Sequence, residues 1–130
     1  MKIFYTKKQQ MKTPLIILSL LFVVLSSFSL MQKDEIIAGL KTGSVEKLAK
    51  YFDNMVDVTV PGKTNSFSKT QAEMILKDFF NLNKVKNFEV QHSGSNSSSN
   101  FIIGTLNTAN GNFRTTVYMR MRGDKQMIQG

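Results

Sequence analysis

The chain has 130 residues, no cysteine, one histidine and a formal net charge of +8. A chain of this length predicts a single domain, and the absence of cysteine excludes disulfide bonds and a lipid anchor on a thiol. Four of the basic residues lie within the first twelve positions, so residues 30–130 keep a net charge of only +4, scattered along the chain. Nucleic-acid binding needs a clustered basic face, and we therefore expect no nucleic-acid partner.

The first thirty residues have the pattern of a secretory signal peptide. A basic start precedes the apolar run Leu15–Leu25, and Ser27 and Ser29 then occupy the small-residue positions of a cleavage site. This pattern predicts a leader over residues 1–29, a single domain over residues 30–130, and a periplasmic or secreted protein. The alternative is an uncleaved anchor, because Pro14–Met31 is near the lower length limit for crossing a bilayer. In that case the protein contacts the membrane only through its leader.

The first part of the domain predicts two short helices followed by a strand. Gly43 suits the position after a helix end, and Ser44 suits the cap of the next helix. Val56, Val58 and Val60 alternate with polar residues, which is typical of a strand buried on one face. The apolar residues that recur at helical spacing are Ile36, Ile37 and Leu40 in the first helix and Val45, Leu48, Ala49 and Phe52 in the second.

The stretch Gly62-Lys63-Thr64 matches the end of a phosphate-binding P-loop. That motif also needs a glycine five positions before the Gly-Lys pair, where this chain has Asp57. A P-loop leads directly into a helix, but here the stretch TNSF intervenes. We therefore interpret Pro61-Gly62 as a turn between two strands and Lys63 as a solvated residue.

The clearest predicted helix begins after Ser68, which forms a capping-box pattern with Gln71. One wide apolar face follows at spacings of three and four residues, formed by Ala72, Ile75, Leu76, Phe79 and Phe80. Such a stripe is typical of core packing, and the alternative is that its aromatic pair lines a ligand pocket.

The last third of the sequence predicts a meander of antiparallel strands. Asn110-Gly111 is a strong hairpin signal, and a two-residue loop there pairs Ala109 with Asn112. We expect the uncharged face of this hairpin to pack on the long helix and the face with three arginines to meet solvent or a partner. Lys125–Gln129 predicts a short final strand that leaves its neighbour partly unpaired. The uncharged face consists of Ile102, Gly104, Leu106, Thr108, Phe113, Thr115, Val117, Met119 and Met121.

Helices followed by a strand meander predict an α+β fold, with the N-terminal helices and the long helix packed on one face of a curved antiparallel sheet. This order resembles the cone-shaped fold of nuclear transport factor 2 and ketosteroid isomerase. The stretches LAKYFDNMVDVTVPGK, SKTQAEMILKDFF and IIGTLNTANGNFR resemble a family of exported bacterial domains of unknown function within that superfamily. The resemblance extends from about Asp34 to Gln129. It implies the fold, but no established activity.

The sequence offers few residues for catalysis. One histidine and no cysteine provide neither a zinc site nor a Ser-His-Asp triad, and we expect no metal and no cofactor. An isomerase-type site needs a carboxylate base in an apolar pocket, whereas Asp57 and Glu89 alternate with apolar residues and should point away from the core. His92 shares a predicted strand face with Phe88 and Val90, so it is the one candidate acid-base residue. The alternative is a hydrogen-bonded histidine at the sheet rim.

We expect the domain to be a non-catalytic binding or interaction module of the bacterial cell envelope. The alternative is a small isomerase-like or cyclase-like enzyme that uses the cone interior, with His92 as its acid-base group. The expected partner is a small apolar ligand or an envelope protein. The candidate pocket consists of Ile75, Phe79, Phe88 and His92. The resemblance also implies a homodimer through the sheet face, with a candidate interface of Phe101, Ile103, Arg114, Tyr118 and Arg120.

Overall fold

The computed structural model describes residues 13–96 and 98–130, without the side chains of residues 13–15 and 21–29. The basic start of the predicted leader and the side chains of Ser27 and Ser29 therefore lie outside the described part. Within that part, no helix combines the length and the hydropathy that a membrane crossing requires.

The first helix, α1, spans Thr13–Thr42 without a break, so the first predicted short helix is the end of a longer one. It ends before Gly43, whose φ of 66° is readily adopted by glycine. Ser44 caps the second helix, α2 (Val45–Ala49), by accepting a hydrogen bond from the Lys47 N–H. Both predicted features of this junction are confirmed.

The next two elements form an antiparallel hairpin of β1 (Met55–Val60) and β2 (Lys63–Ser68). Val56 and Val58 are buried, and the residues beside them in β1 are exposed. Gly62 has a φ of 82° in the turn, as expected when glycine follows proline in a tight turn. The stretch that resembles a P-loop therefore belongs to a β-hairpin, as predicted.

The third helix, α3, spans Lys69–Leu82 and packs over the hairpin. Ser68 and Gln71 form both hydrogen bonds of the predicted capping box. Ala72 and Phe80 are buried, and the other members of the predicted apolar face are partly buried against the core.

The main sheet is antiparallel, with the strand order β3-β4-β5-β6. Its strands are β3 (Val85–Ser95), β4 (Ser99–Thr108), β5 (Gly111–Arg122) and β6 (Lys125–Ile128). The inner face predicted from the alternation is confirmed, since Ile102, Leu106, Val117 and Met119 are all buried. The helices precede and cover an antiparallel sheet whose final strand has four residues, which confirms the predicted α+β fold.

The turn between β4 and β5 differs from the prediction. Thr108 pairs with Gly111, so the turn residues are Ala109 and Asn110. Gly111 has a φ of 122°, whereas no described non-glycine residue has a positive φ, so this is not the mirror-image turn that Asn-Gly usually forms. Each β5 residue pairs two positions earlier in β4 than predicted. Because side chains alternate with a period of two, every residue keeps its predicted face.

Strands β3 and β4 approach closely at Gly104. A Cβ atom at this position would lie 2.3 Å from the carbonyl oxygen of Glu89 and 2.5 Å from the ring of Phe88. Phe88 is among the largest fully buried side chains. Its ring occupies the space that a side chain at Gly104 would need, so packing rather than a special φ requires glycine here.

Candidate binding site

A cavity of about 630 Å³ lies between the β1–β2 hairpin, α3 and β5. This volume falls within the range of small-molecule binding sites. Its walls are mainly apolar and include Val58, Val60, Leu76, Phe79, Phe113 and Val117. The exposed polar side chains that border it include those of Asp57, Arg114 and Tyr118.

Helix α3 provides the aromatic part of the wall. Its capping box fixes where the helix begins, and the helical period then places Leu76, Phe79 and Phe80 on the cavity side. Phe79 contacts Phe113 of β5 edge to face, with 5.3 Å between the ring centres. Phe79 is only partly buried, so part of its ring is accessible from the cavity.

A short segment of backbone joins the two sheets beside the cavity. β6 pairs with β5 only over Met119–Arg122. Just beyond β6, the Asp57 N–H donates to the Gln129 carbonyl oxygen at 2.9 Å, and the Gln129 N–H donates to the Tyr118 carbonyl oxygen at 2.8 Å. The Tyr118 N–H donates to the Gly130 carbonyl oxygen at 2.7 Å. One extended segment therefore joins β1 to β5, and its residues Gln129 and Gly130 line the cavity.

The buried carboxylate of Asp53 also binds the joining segment, through the side chain of Gln129. Asp53 is only 4% exposed. It accepts hydrogen bonds from the Gln129 side-chain amide at 2.6 Å and from the Asn54 N–H at 2.8 Å, and Arg122 lies 3.1 Å away. The hydrogen bond from Gln129, the Asn54 N–H and the nearby arginines outweigh the effect of burial and hold the pKa of Asp53 below its usual value. This carboxylate is already paired, so we assign it a structural role.

A second polar cluster connects α1 to the chain after α2. The Tyr51 hydroxyl donates a hydrogen bond to Glu35, and Lys50 forms an ion pair with the same carboxylate. Burial, followed by the hydrogen bond to Glu35, raises the pKa of Tyr51 to about 12. The hydrogen bond from Tyr51 lowers the pKa of Glu35. Neither Tyr51 nor Glu35 lines the cavity.

At Asp124 and Gln126, the outer edge of β6 is paired with a side chain rather than with backbone. Gln32 of α1 is 6% exposed. Its amide donates to the Asp124 carbonyl oxygen at 2.9 Å and accepts from the Gln126 N–H at 2.6 Å. Gln32 thus satisfies backbone groups in the way that a neighbouring strand would, and it anchors α1 to the sheet.

The structure places His92 differently from the prediction. β3 has a register shift between Val90 and His92, where Val90 pairs with Gly104 and His92 pairs with Ile103. Gln91 is the extra residue of this bulge, and it reverses the alternation. His92 is therefore exposed beside the outer face rather than on the inner face, and it does not line the cavity.

The other residues of the predicted pocket lie in three different environments. Phe79 lines the cavity. Ile75 is partly buried against the core, and Phe88 is 1% exposed beneath Gly104. The four predicted residues therefore do not form one pocket. Among the described residues, no group of three or more acidic, histidine or cysteine side chains is arranged to hold a metal ion.

The residues of the predicted dimer interface do lie together. Phe101 pairs with Tyr118, and Ile103 pairs with Thr116, on neighbouring positions of β4 and β5. Tyr118 is 59% exposed, Arg114 and Arg120 are exposed, and Phe101 and Ile103 are partly buried. The homodimer itself stays a prediction, which sedimentation at high protein concentration would test.

No pattern in the sequence indicates the roles of Asp53, Gln32 or the joining segment at Gln129. The partner of Asp53 lies 76 positions away, and the backbone partners of Gln32 lie 92 and 94 positions away. The one local signal was the polar pair Asp53-Asn54 between a helix and a strand, which predicts a turn but no partner.

Comparisons with known proteins place the chain in a family. The model of the family described as "Domain of unknown function (DUF4783)" matches residues 33–130. A crystal structure of a DUF4783 family protein from Bacteroides fragilis is 37% identical, has a TM-score of 0.69, and the match covers 73% of this chain and 90% of that one. One from Bacteroides uniformis is 36% identical, has a TM-score of 0.71, and the match covers 74% and 89% of the two chains. No protein with a curated description matches the sequence.

A more distant structure shows the fold alone. An NTF2-like protein of unknown function from Cytophaga hutchinsonii is 11% identical, with a TM-score of 0.55 and coverage of 76% of this chain and 83% of that one. This similarity shows that the chain has the NTF2-like fold that the resemblance implied. The match over residues 33–130 and the 36–37% identity to two solved members mean that the chain belongs to the DUF4783 family of domains of unknown function.

Proposed function

We propose that the protein is an exported, non-catalytic binding domain whose ligand occupies the cavity between the β1–β2 hairpin, α3 and β5. The observation that carries this proposal is the cavity itself, which measures about 630 Å³ and has largely apolar walls. Pockets of this size and composition, with a few polar groups at their border, are the usual form of small-molecule sites.

The placement of the titratable groups favours binding over catalysis. Within the described part of the chain, the side chains with shifted pKa values are Glu35, Tyr51 and Asp53, and none of these three lines the cavity. Each is engaged with a neighbouring side chain. The enzyme alternative needs His92 as a base inside the cone, and the outward position of His92 gives that alternative no support.

The walls favour a ligand with an apolar body. Phe79 and Phe113 provide aromatic contacts at one end, and Val58 and Val117 provide aliphatic contacts between the two strand edges. Arg114 borders the same space and can bind an acidic or carbonyl group of the ligand. The proposed ligand is therefore an apolar molecule with a polar or anionic end.

We expect the purified protein to bind the uncharged dye phenylnaphthylamine and increase its fluorescence. Thr115→Trp places an indole in the cavity, because Thr115 lines it from β5, and this substitution should weaken dye binding at least tenfold, or about 1.4 kcal/mol. Thr70→Trp is the matched control, since Thr70 is exposed at the start of α3 and outside the cavity lining. Equal binding by both variants would contradict the proposal, and so would a wild-type protein that binds no dye.

Export is the second part of the proposal. It is supported by the leader pattern and by Ile16, Ile17, Leu18 and Leu20, which are all more than half exposed on α1. We expect mass spectrometry of the protein from the cell envelope to find an N-terminus near Leu30. A protein that keeps residues 1–12 and remains with the membranes would show instead that the leader is an uncleaved anchor.

A further inference from the structure

A second cavity lies on the outer face of the main sheet and plays no part in the proposed function. Its volume is about 370 Å³, which is at the small end of the range for ligand sites. It shares only Tyr118 and Gln129 with the larger cavity. We call it the outer cavity, and the residues around it include Ser99, Phe101, Tyr118, Arg120 and Gln129.

The pairing of β4 with β5 sets the shape of the outer cavity. Phe101 pairs with Tyr118, and Arg120 lies two positions further along β5, so all three side chains lie on one face of the sheet. Asn100 and Met119 form the pair between them and also line the cavity. Because side chains alternate between faces, Asn100 and Met119 contribute their backbone as the floor. Two residues along a strand span about 6.6 Å, a spacing that suits a ligand with a single ring.

Two aromatic side chains at one end of the outer cavity can bind such a ring. Tyr118 is exposed over more than half of its surface, so its ring is available to a ligand. Phe101 is partly buried, and its ring lies over Gly94 of β3, where an added Cβ would be only 2.6 Å from the ring. Packing on Gly94 therefore fixes the Phe101 ring before any ligand binds. Aromatic side chains bind other rings in offset or edge-to-face contacts.

Arg120 provides a positive charge at the other end of the outer cavity. Its side chain is exposed and forms no ion pair or hydrogen bond within the part of the chain that the structure describes. The nearby carboxylate of Asp53 is instead paired with Arg122 at 3.1 Å. The hydrogen bond from Gln129 lowers the pKa of Asp53 most, and Arg120 contributes less than Arg122. The cavity therefore offers one unpaired guanidinium, which can bind a carboxylate through two parallel hydrogen bonds.

We infer that the outer cavity binds a small molecule that combines one ring with one carboxylate, with the ring against Tyr118 and Phe101 and the carboxylate on Arg120. A single unpaired cation matches a carboxylate better than a phosphate, which carries up to two negative charges. The Ser99 hydroxyl donates to Asn96 at 3.0 Å and can still accept a hydrogen bond from a hydroxyl group on the ring. Aromatic acids and sugar acids share this chemistry, and the experiment separates them.

The test follows para-fluorobenzoate by fluorine NMR in the presence of the purified protein at low concentration. We expect saturable binding of this acid and about tenfold weaker binding of para-fluorobenzamide, which keeps the ring but lacks the charge. Equal binding of the acid and the amide would overturn the inference. Displacement of para-fluorobenzoate by glucuronate would show that the cavity accepts sugar acids, whereas continued binding in its presence would identify aromatic acids as the ligand class.

Substitutions of Arg120 test the protein side. Arg120→Gln should weaken para-fluorobenzoate binding about tenfold, and Arg120→Lys should weaken it less, because lysine keeps the charge but not the two parallel hydrogen bonds. Lys77→Gln is the matched control, since it removes an exposed positive charge on α3 outside the outer cavity, and its binding should be unchanged. Weaker binding by Arg114→Gln but not by Arg120→Gln would place the probe in the larger cavity and overturn the inference. If circular dichroism shows Arg120→Gln to be unfolded, the comparison of acid and amide decides alone.

The outcomes separate this inference from the proposed function and from the predicted homodimer. Arg120→Gln should bind phenylnaphthylamine as the wild type does, because Arg120 does not line the larger cavity. Binding of para-fluorobenzoate that depends on Arg120, without binding of the dye, would overturn only the proposed function, and the reverse result would overturn only this inference. Phe101, Tyr118 and Arg120 also belong to the candidate dimer interface. If sedimentation shows a dimer at the same concentration and no para-fluorobenzoate binds, a second copy covers the outer cavity and the inference is wrong.

Discussion

Replacement of Gly104 by alanine is expected to destabilise the protein by about 3 kcal/mol, the upper part of the usual cost of overpacking a core. The added Cβ would lie 2.3 Å from the Glu89 carbonyl oxygen, which belongs to the backbone of the paired strand, and 2.5 Å from the Phe88 ring. A flexible side chain could move away, but here both β3 and a buried ring must shift. Urea unfolding followed by circular dichroism measures the effect.

The matched control for this prediction is Gly39→Ala. A Cβ at Gly39 would meet the Leu48 side chain at 3.0 Å, and side chains adjust more easily than backbone. Alanine also favours the helical conformation of α1 by up to about 1 kcal/mol, so the net change should be below about 1 kcal/mol. Equal stability of the Gly104→Ala protein and the wild type would mean that β3 and β4 do not approach as closely as described.

Asp53→Asn is expected to lower the free energy of unfolding by about 2 kcal/mol at pH 7. Hydrogen bonds to a charged group contribute about 1.5–3 kcal/mol each, and the asparagine amide keeps only some of those that the carboxylate accepts. Asp53 is 4% exposed and accepts from the Gln129 side chain and the Asn54 N–H. Arg122 keeps its solvation, since its side chain is 59% exposed, and this limits the loss. The substitution should also loosen the segment that joins β1 to β5.

The pH dependence of this effect has a definite sign. The folded state holds the pKa of Asp53 below its usual value of 3.8, so the stabilising contribution is complete above that value and is lost as the pH falls through the lower, folded pKa. The difference in unfolding free energy between wild type and Asp53→Asn should therefore shrink below about pH 4. Asp78→Asn, at an exposed position on α3, is the control. Its unfolding free energy should differ little from that of the wild type, both at pH 7 and below about pH 4. If the difference in unfolding free energy between wild type and Asp53→Asn stays constant as the pH falls, this would argue against a buried, ionised Asp53.

The elements that the sequence predicts well are those whose decisive partners are close in the chain. Ser68 and Gln71 are three residues apart and form the capping box, and Gly43 and Ser44 set the junction between α1 and α2. The alternation in β1 identifies its buried face for the same reason, because the valines and the polar residues between them are adjacent in the sequence.

The errors arise where one residue interrupts a pattern. The bulge at Gln91 adds a residue to β3, so the alternation that links Phe88 to His92 does not hold across it. The sequence carries no glycine or proline at that point to indicate the bulge. In the β4–β5 turn, the residue with a positive φ is Gly111. The pairing of β4 with β5 is shifted by two residues from the predicted pairing, so each side chain keeps its predicted face of the sheet.

The candidate site was the least predictable part because it is built from distant segments. Val58, Phe79 and Val117 line one cavity, yet they lie in a hairpin, a helix and the main sheet. The strand edges that border it depend on where β6 stops pairing with β5 and on how Gln129 reaches Asp57. Local periodicity identifies each of these residues as buried or exposed, but it does not reveal which of them meet.

The most direct test of the proposed site is methyl NMR of the valine-labelled protein during titration with phenylnaphthylamine. Val58 and Val117 line the cavity from β1 and β5, whereas Val90 is 42% exposed on β3 and outside the cavity lining. We predict that the methyl signals of Val58 and Val117 shift with saturable dependence on dye concentration while those of Val90 stay in place. Shifts confined to Val90, or saturable dye binding with no shift at Val58 and Val117, would contradict a binding site between β1 and β5.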